Sequence, residues 1–318
     1  MTNIPLYLAP LAGYSDQAFR RLCKDWQVDY LVSEMVSADG LIRDQDKTRA
    51  YVTFSEAERP YGVQIFGSDP AVMAKAAAAL TAFNPDFIDI NMGCPVRKVV
   101  KRGAGSALMK DPACAEEIVR QVKKAIPASM TLSVKFRSGW DSKSLNYLDF
   151  GLRMQDAGAD IICLHPRTTA QVFSGQSNWE HIQKLKQAIS IPLIGNGDVD
   201  SPESAAQMLK VAACDAIMIG RGALGRPWLF TQIKQYLAEG YYHPITKAQI
   251  LDCALTHIDY ALLYKEEYVV VREMRSQLCH YAKGMPGSKE LREKINHSGS
   301  TQELRVHLRQ WLSGKHGV

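Results

Sequence analysis

The sequence predicts an α/β protein: a (β/α)8 TIM barrel with a C-terminal all-helical domain. Three observations predict it. Short β-branched or apolar runs alternate with amphipathic helical stretches, the pattern of βαβ units and a parallel sheet. Eight such runs occur before about residue 240, which suits a closed barrel better than an open doubly wound sheet. After Glu239-Gly240-Tyr241-Tyr242-His243-Pro244 the strand signals stop and only helical patterns remain.

The expected strands are residues 6–9, 30–33, 61–66, 87–91, 131–136, 161–165, 191–195 and 216–220. Each is a run of four to six residues rich in Val, Ile, Leu or Phe, as strands buried on both faces should be. Between them, an Ala-rich helix is expected over 70–83. The helix at 112–126 follows Asp111, an N-cap, with Pro112 at its first position. The helix at 145–157 stops at Gly158. Helices at 179–189, 203–212 (capped by Ser201-Pro202) and 227–237 complete the barrel layer. In the tail, helices are expected over 248–264, 269–283, 288–295 and 301–311, with Gly284-Met285-Pro286-Gly287 as a breaker. The chain thus divides into residues 1–240, a catalytic barrel, and 241–318, a helical unit expected to have its own core.

Composition sets the broad class. Of 318 residues, 46% are hydrophobic and 22% charged, as in ordinary soluble globular proteins. The seven cysteines are scattered without C-x-x-C spacing, so neither a disulfide framework nor a metal site is expected. A reducing, cytoplasmic setting follows. There is no basic-then-apolar leader and no 18-residue apolar run, so no membrane partner is expected. A net charge of +5 is compatible with an RNA or phosphate partner without demanding one.

In a barrel of this kind, function gathers at the C-terminal strand ends. The runs end in Pro10-Leu11-Ala12-Gly13, in Ser33-Glu34, in a stretch carrying Gln64, and in Asn91 with Cys94 beyond. The later ones carry Lys135 and Arg137, then His165 and Arg167, Asn196-Gly197-Asp198, and Gly220-Arg221-Gly222. A lone cysteine is most often a buried structural thiol. Cys94, however, sits among polar and flexible residues, between Gly93 and Pro95, where a thiol can reach a ligand. Asp89 is expected to point into the barrel wall or the helix layer and to be ionised. Gly-rich turns after the last two strands are the usual phosphate site of the fold, and Arg221 can add a charge-assisted contact. Lys135 interrupts the apolar run of Leu132, Val134 and Phe136, which is costly unless it faces an anionic partner. Phosphate loops opposite a buried cation fit a phosphorylated cofactor with an anionic head, such as reduced FMN.

These segments resemble the tRNA-dihydrouridine synthases, particularly the bacterial, nitrogen-regulation-like branch. The resemblance runs over essentially the whole chain. It is carried by Ala9-Pro10-Leu11-Ala12-Gly13, Val63-Gln64-Ile65-Phe66-Gly67, Asp89-Ile90-Asn91-Met92-Gly93-Cys94-Pro95, Val134-Lys135-Phe136-Arg137, His165-Pro166-Arg167-Thr168, Gly195-Asn196-Gly197-Asp198 and Ile219-Gly220-Arg221-Gly222. It departs at Leu11, where Met is usual, and at Tyr14 and Ser15, where Val or Thr is usual.

The resemblance implies a flavoenzyme that reduces a uridine in tRNA to 5,6-dihydrouridine, with FMN bound and NADPH as electron source; separately, a monomer is expected. By position, Pro10, Leu11 and Ala12 would line the flavin. Gln64 would bond its ring edge, and Lys135 would sit where negative charge collects. His165 would touch flavin and base. Asn196, Gly197, Asp198, Gly220 and Arg221 would hold the phosphate. Asn91 and Arg167 would orient the uracil, and Cys94 would be the acid. Arg272, Arg275 and Lys283 in the tail would grip the tRNA. Two alternatives stand beside this reading: an FMN barrel acting on a small pyrimidine, of the dihydroorotate or dihydropyrimidine dehydrogenase type, and a non-catalytic RNA-binding protein.

Overall fold

The computed structural model of the chain describes residues 4–43 and 51–312. Residues 1–3, at the start of the stretch searched for a leader, and 313–318, the end of the expected tail, lie outside the described residues.

Nine parallel strands form one sheet: β1 Leu6–Leu8, β2 Leu31–Val32, β3 Val36–Ser37, β4 Tyr61–Phe66, β5 Phe87–Met92, β6 Thr131–Arg137, β7 Ile161–His165, β8 Leu193–Asn196 and β9 Ala216–Ile219. The order is β1-β9-β8-β7-β6-β5-β4-β2, with β3 also paired to β4. The ring closes between β1 and the residue before β2, where Tyr7 bridges Tyr30 and the Leu8 N–H donates to the Tyr30 carbonyl at 3.0 Å. Each expected strand is present. The one expected at 30–33 is β2 alone; β3 is a further short strand beyond it, separated by a break because β2 and β3 pair with opposite ends of β4. The Ser33 hydroxyl explains the break: it accepts the Gln64 N–H at 2.9 Å, replacing a ladder bond.

The barrel helices follow their caps. Asp69 accepts from the Val72 N–H, Asp111 from Cys114 and Ser201 from Ser204, each opening a helix with Pro in the first turn. The α-helices Gln17–Asp25, Ala38–Arg43 and the short Arg97–Val100 were not expected from the sequence. The first is dense in charge, yet Asp16 caps it and Phe19, Leu22 and Cys23 form a buried stripe.

Strand alternation sorts the core in two. One set faces the helices; the other, including Tyr7, Phe87, Cys163, Ile194 and Met218, fills the barrel from within. Asp89 shares the inward parity of Phe87, so the expectation that it faces the wall or the helix layer is corrected. It lies inside the barrel, 2% exposed, accepting from Gln64 Nε2 at 2.6 Å and from the Ser133 hydroxyl. Burial raises its pKa, against those two bonds and the nearby Lys135.

Four helices, Lys247–Tyr264, Glu267–Tyr281, Ser288–His297 and Thr301–Leu312, make up the C-terminal part. The expectation of a separate core there is also corrected. Fully buried His257 meets Phe19, Tyr281 meets Trp228, and both sets of apolar residues belong to one continuous cluster. Polar ties cross the same boundary: Tyr260 donates to Asp25 at 2.8 Å and Lys265 pairs with Asp16 at 2.6 Å. Among the described residues, no helix is long and apolar enough to cross a membrane.

Candidate active site

Above the apolar floor of the barrel lies a layer of polar side chains, contributed by inward positions of β4 to β8. Gln64, Asp89 and Ser133 are direct register partners, as are Asn91, Lys135 and Cys163. Parallel pairing therefore puts the expected residues side by side without any loop having to carry them.

Asn91 organises the half-buried Cys94. Its Oδ1 accepts the N–H groups of Gly93 and Cys94 at 3.1 and 2.9 Å, a tight Asx turn that fixes the thiol-bearing residue. Its Nδ2 donates to Gln64 Oε1 at 2.8 Å. Arg137 holds the same turn from the other side, donating Nε to the Gly93 carbonyl at 2.7 Å. The Cys94 carbonyl accepts the Ser106 N–H at 3.0 Å, closing residues 94–106 into a loop at its foot. Gly105 permits this closure: its φ is +61°, and a Cβ would lie 2.8 Å from the Cys94 carbonyl oxygen. Arg97, Lys98, Lys101 and Arg102 are exposed at the loop's tip. Burial raises the Cys94 pKa, with Arg137 and Lys135 opposing, so the thiol is protonated at neutral pH.

Lys135 donates to Asn196 Oδ1 at 2.9 Å. Among the described residues it makes no ion pair, and burial lowers its pKa. Beside it, burial first, then Lys135, Arg137, Arg167 and Arg221, push the His165 pKa well below its usual value, so the imidazole is neutral.

Some expected roles change. Arg167 was expected to orient a uracil, but it is 2% exposed and its donors are spent. They go to Ser174 and Gly175 carbonyls, the Ser177 hydroxyl, His165 Nε2 and, at 2.6 Å, Asp198. It is a strut between the loops after β7 and β8. Gln64 is 0% exposed, one layer below the mouth, bonded to Asp89 and Asn91. Asn196 turns inward to Lys135 and to the Met218 carbonyl. The carboxylate of Asp198 faces Arg167, the Ser177 N–H and Arg221. What residues 196–198 can offer an anion is therefore backbone, and their conformation suits it: Gly197 has φ +119° and Asp198 φ +58°.

At β9, Gly222 must be glycine, since a Cβ would sit 2.2 Å from the Val199 carbonyl oxygen. Gly220 faces Ala9 and Leu11, which brings the turn at Pro10, Leu11 and Ala12 to the same rim. Half-exposed Arg221 stacks on Phe173 at 4.7 Å. Sequence reasoning passed over Phe173, Ser133 and Ser177. Only Ser133 carried a signal, the inward parity it shares with Lys135.

In the tail, Arg272 and Lys283 are exposed, while Arg275 donates to the Ser298 carbonyl at 2.8 Å and is tied into the helix packing.

A parallel barrel whose polar groups converge at the C-terminal strand ends, around a protonated thiol and a buried cation, defines a barrel enzyme. A model of the family described as dihydrouridine synthase (Dus) matches residues 7–313. A "probable tRNA-dihydrouridine synthase" of Treponema pallidum is 37% identical over 312 residues, 96% of this chain and 92% of the relative. The "tRNA-dihydrouridine synthase B" of Pseudomonas aeruginosa is 37% identical over 309 residues, 97% and 92% of the two chains. The chain belongs to the dihydrouridine synthase family, a family of oxidoreductases. Among solved structures, histamine dehydrogenase from Rhizobium sp. 4-9 superposes with a TM-score of 0.54 at 13% identity, over 80% of this chain and 48% of that one, a likeness of fold.

Proposed function

We propose that this protein reduces a uridine of tRNA to 5,6-dihydrouridine with FMN bound at the barrel mouth and NADPH as the electron source. The observation that carries the reading is the pairing of a protonated, rigidly held Cys94 with Lys135, a buried ammonium whose hydrogen-bond partner is neutral. A partly buried cation that makes no ion pair among the described residues fits an anionic ring above it. Backbone at Gly197, Asp198 and Gly220, with the Arg221 guanidinium, fits the phosphate at the other end. Family membership and the tRNA-dihydrouridine synthase relatives support the substrate.

Bound FMN would supply the hydride that goes to C6 of the uracil. The chain's own residues do the rest. Cys94 gives its proton to C5, leaving a thiolate that solvent reprotonates through the half-exposed mouth. Asn91 and Arg137 fix the backbone that aims it. Neutral His165 can donate or accept a hydrogen bond without adding charge. A uridine in a flexible tRNA loop is the natural target, because the base must leave its stack to reach the rim. The protein acts as a monomer in a reducing cytoplasm, where cysteines free of disulfides are expected. The test is mass mapping of dihydrouridine in tRNA from cells lacking the gene, with the purified protein and NADPH added back. Unchanged tRNA, or a protein that binds no FMN, overturns the reading.

A further inference from the structure

The turn that would line the cofactor is tied to the tail. Tyr14 Oη lies 2.9 Å from Ser276 Oγ, and its ring meets His280 edge-on with centroids 5.4 Å apart. Gln277 Nε2 donates to the Tyr14 carbonyl at 3.5 Å. Two residues on, Asp16 pairs with Lys265. On the barrel side, residues 11–15 are a closed unit. The Tyr14 and Ser15 N–H groups both donate to the Leu11 carbonyl at 2.9 Å, and the Leu11 N–H donates to Ser15 Oγ at 2.8 Å. Arg20, itself paired with buried Glu58, holds the Ser15 carbonyl at 3.0 Å. Such a turn moves as one piece, so whatever moves Tyr14 moves Leu11. Tyr14's partners Ser276 and His280 stand on the helix Glu267–Tyr281, about one and two turns beyond Arg272, whose side chain is exposed.

We propose that Tyr14 is a positioning residue that couples the RNA-facing helix to the flavin-lining turn, so that tRNA engaged at Arg272 restrains Leu11 and Ala12 at the rim. This rests on the function proposed above. The coupling element is the Tyr14 side chain: its hydroxyl and ring span from the turn to Ser276 and His280, a reach that Val or Thr at this position does not have.

The test uses the full-length, flavin-loaded protein and hydrogen exchange of amides 11–16, with and without tRNA. In the wild type, bound tRNA should slow exchange there about fivefold, the scale of one net hydrogen bond. Tyr14→Val should still bind tRNA but lose that protection, and its affinity for FMN should fall. Tyr14→Phe, which keeps the ring contact with His280, should fall between. Ser276→Ala should match Tyr14→Phe and add nothing to it in the double variant. If Tyr14→Val lowers only the melting temperature and keeps the tRNA-dependent protection, the coupling is wrong and Tyr14 is a packing residue. Absence of protection in a wild type that binds tRNA overturns it as well. A wild type that binds no tRNA at all sinks the functional reading, and the coupling with it; the binding measurement alone tells the two failures apart.

Discussion

The Lys135 ammonium and the Asn196 amide form a fixed pair inside the barrel mouth. Asn196 can only accept from Lys135, because its Nδ2 is committed to the Met218 carbonyl at 2.8 Å. Replacing Asn196 by Ala strips a buried cation of its acceptor and a carbonyl of its donor. The expected cost is about 1–3 kcal/mol, the usual penalty for leaving buried polar groups unpaired. Urea unfolding of the variant measures it, and an unchanged midpoint would contradict the pairing.

Cys94→Ala should keep FMN and still oxidise NADPH, yet form dihydrouridine at least about a hundredfold more slowly, the scale for losing a general acid. Single-turnover assays separate the two halves, since only the second needs a proton at C5. Equal turnover would remove Cys94 from the mechanism. Loss of flavin or solubility would make it a structural thiol.

The pH profile follows from the raised Cys94 pKa. The acid form persists below that pKa, so dihydrouridine formation should hold steady past the ordinary thiol value of about 8.5 and fall only as pH climbs beyond it. NADPH oxidation, which needs no thiol, should lack that alkaline limb. A decline centred below the ordinary thiol value would show the thiol to be activated rather than held protonated.

Asp198 behaves oppositely. Burial alone would raise its pKa, but the Ser177 N–H and Arg167 outweigh it and the pKa is lowered. A lowered carboxyl contributes stability that is complete above its unfolded value, about 3.9, and lost as pH falls through the folded one. Acid unfolding of the wild type should steepen below about pH 4. Asp198→Asn should flatten that part of the curve and lower stability at neutral pH.

Truncation before residue 245 should yield an aggregating barrel, because Phe19 and Trp228 lose the cover of His257 and Tyr281. Point changes are the cleaner probe. Arg272→Ala and Lys283→Ala should each weaken tRNA binding and reduce its salt slope by about one, as for a lost phosphate contact. Arg275→Ala should instead lower the melting temperature, because its guanidinium holds the Ser298 carbonyl. Filter binding across a salt series distinguishes these outcomes.

Much of this was legible in the chain itself. Pro and Asp at helix starts and apolar runs at regular spacing are local signals, and the strands at 61–66 and 161–165 matched to the residue. The helix Gln17–Asp25 hid because its apolar stripe is three residues wide in a charged segment. For the site, position along a strand revealed which residues reach the mouth, but not which were already engaged there. Arg167 reads as a free cation in sequence. Only folding shows that loops 174–177 and 196–198 wrap it and consume its donors. Asp89 was misplaced for a related reason: a buried carboxylate looks improbable until Gln64 and Ser133 are seen to satisfy it.

The loop of residues 94–106 is cinched at its foot by Asn91, Ser106 and Arg137, while its four cations lie out at the tip. A loop built this way can change at its tip without moving its foot, so the charge displayed there and the thiol's aim are set independently.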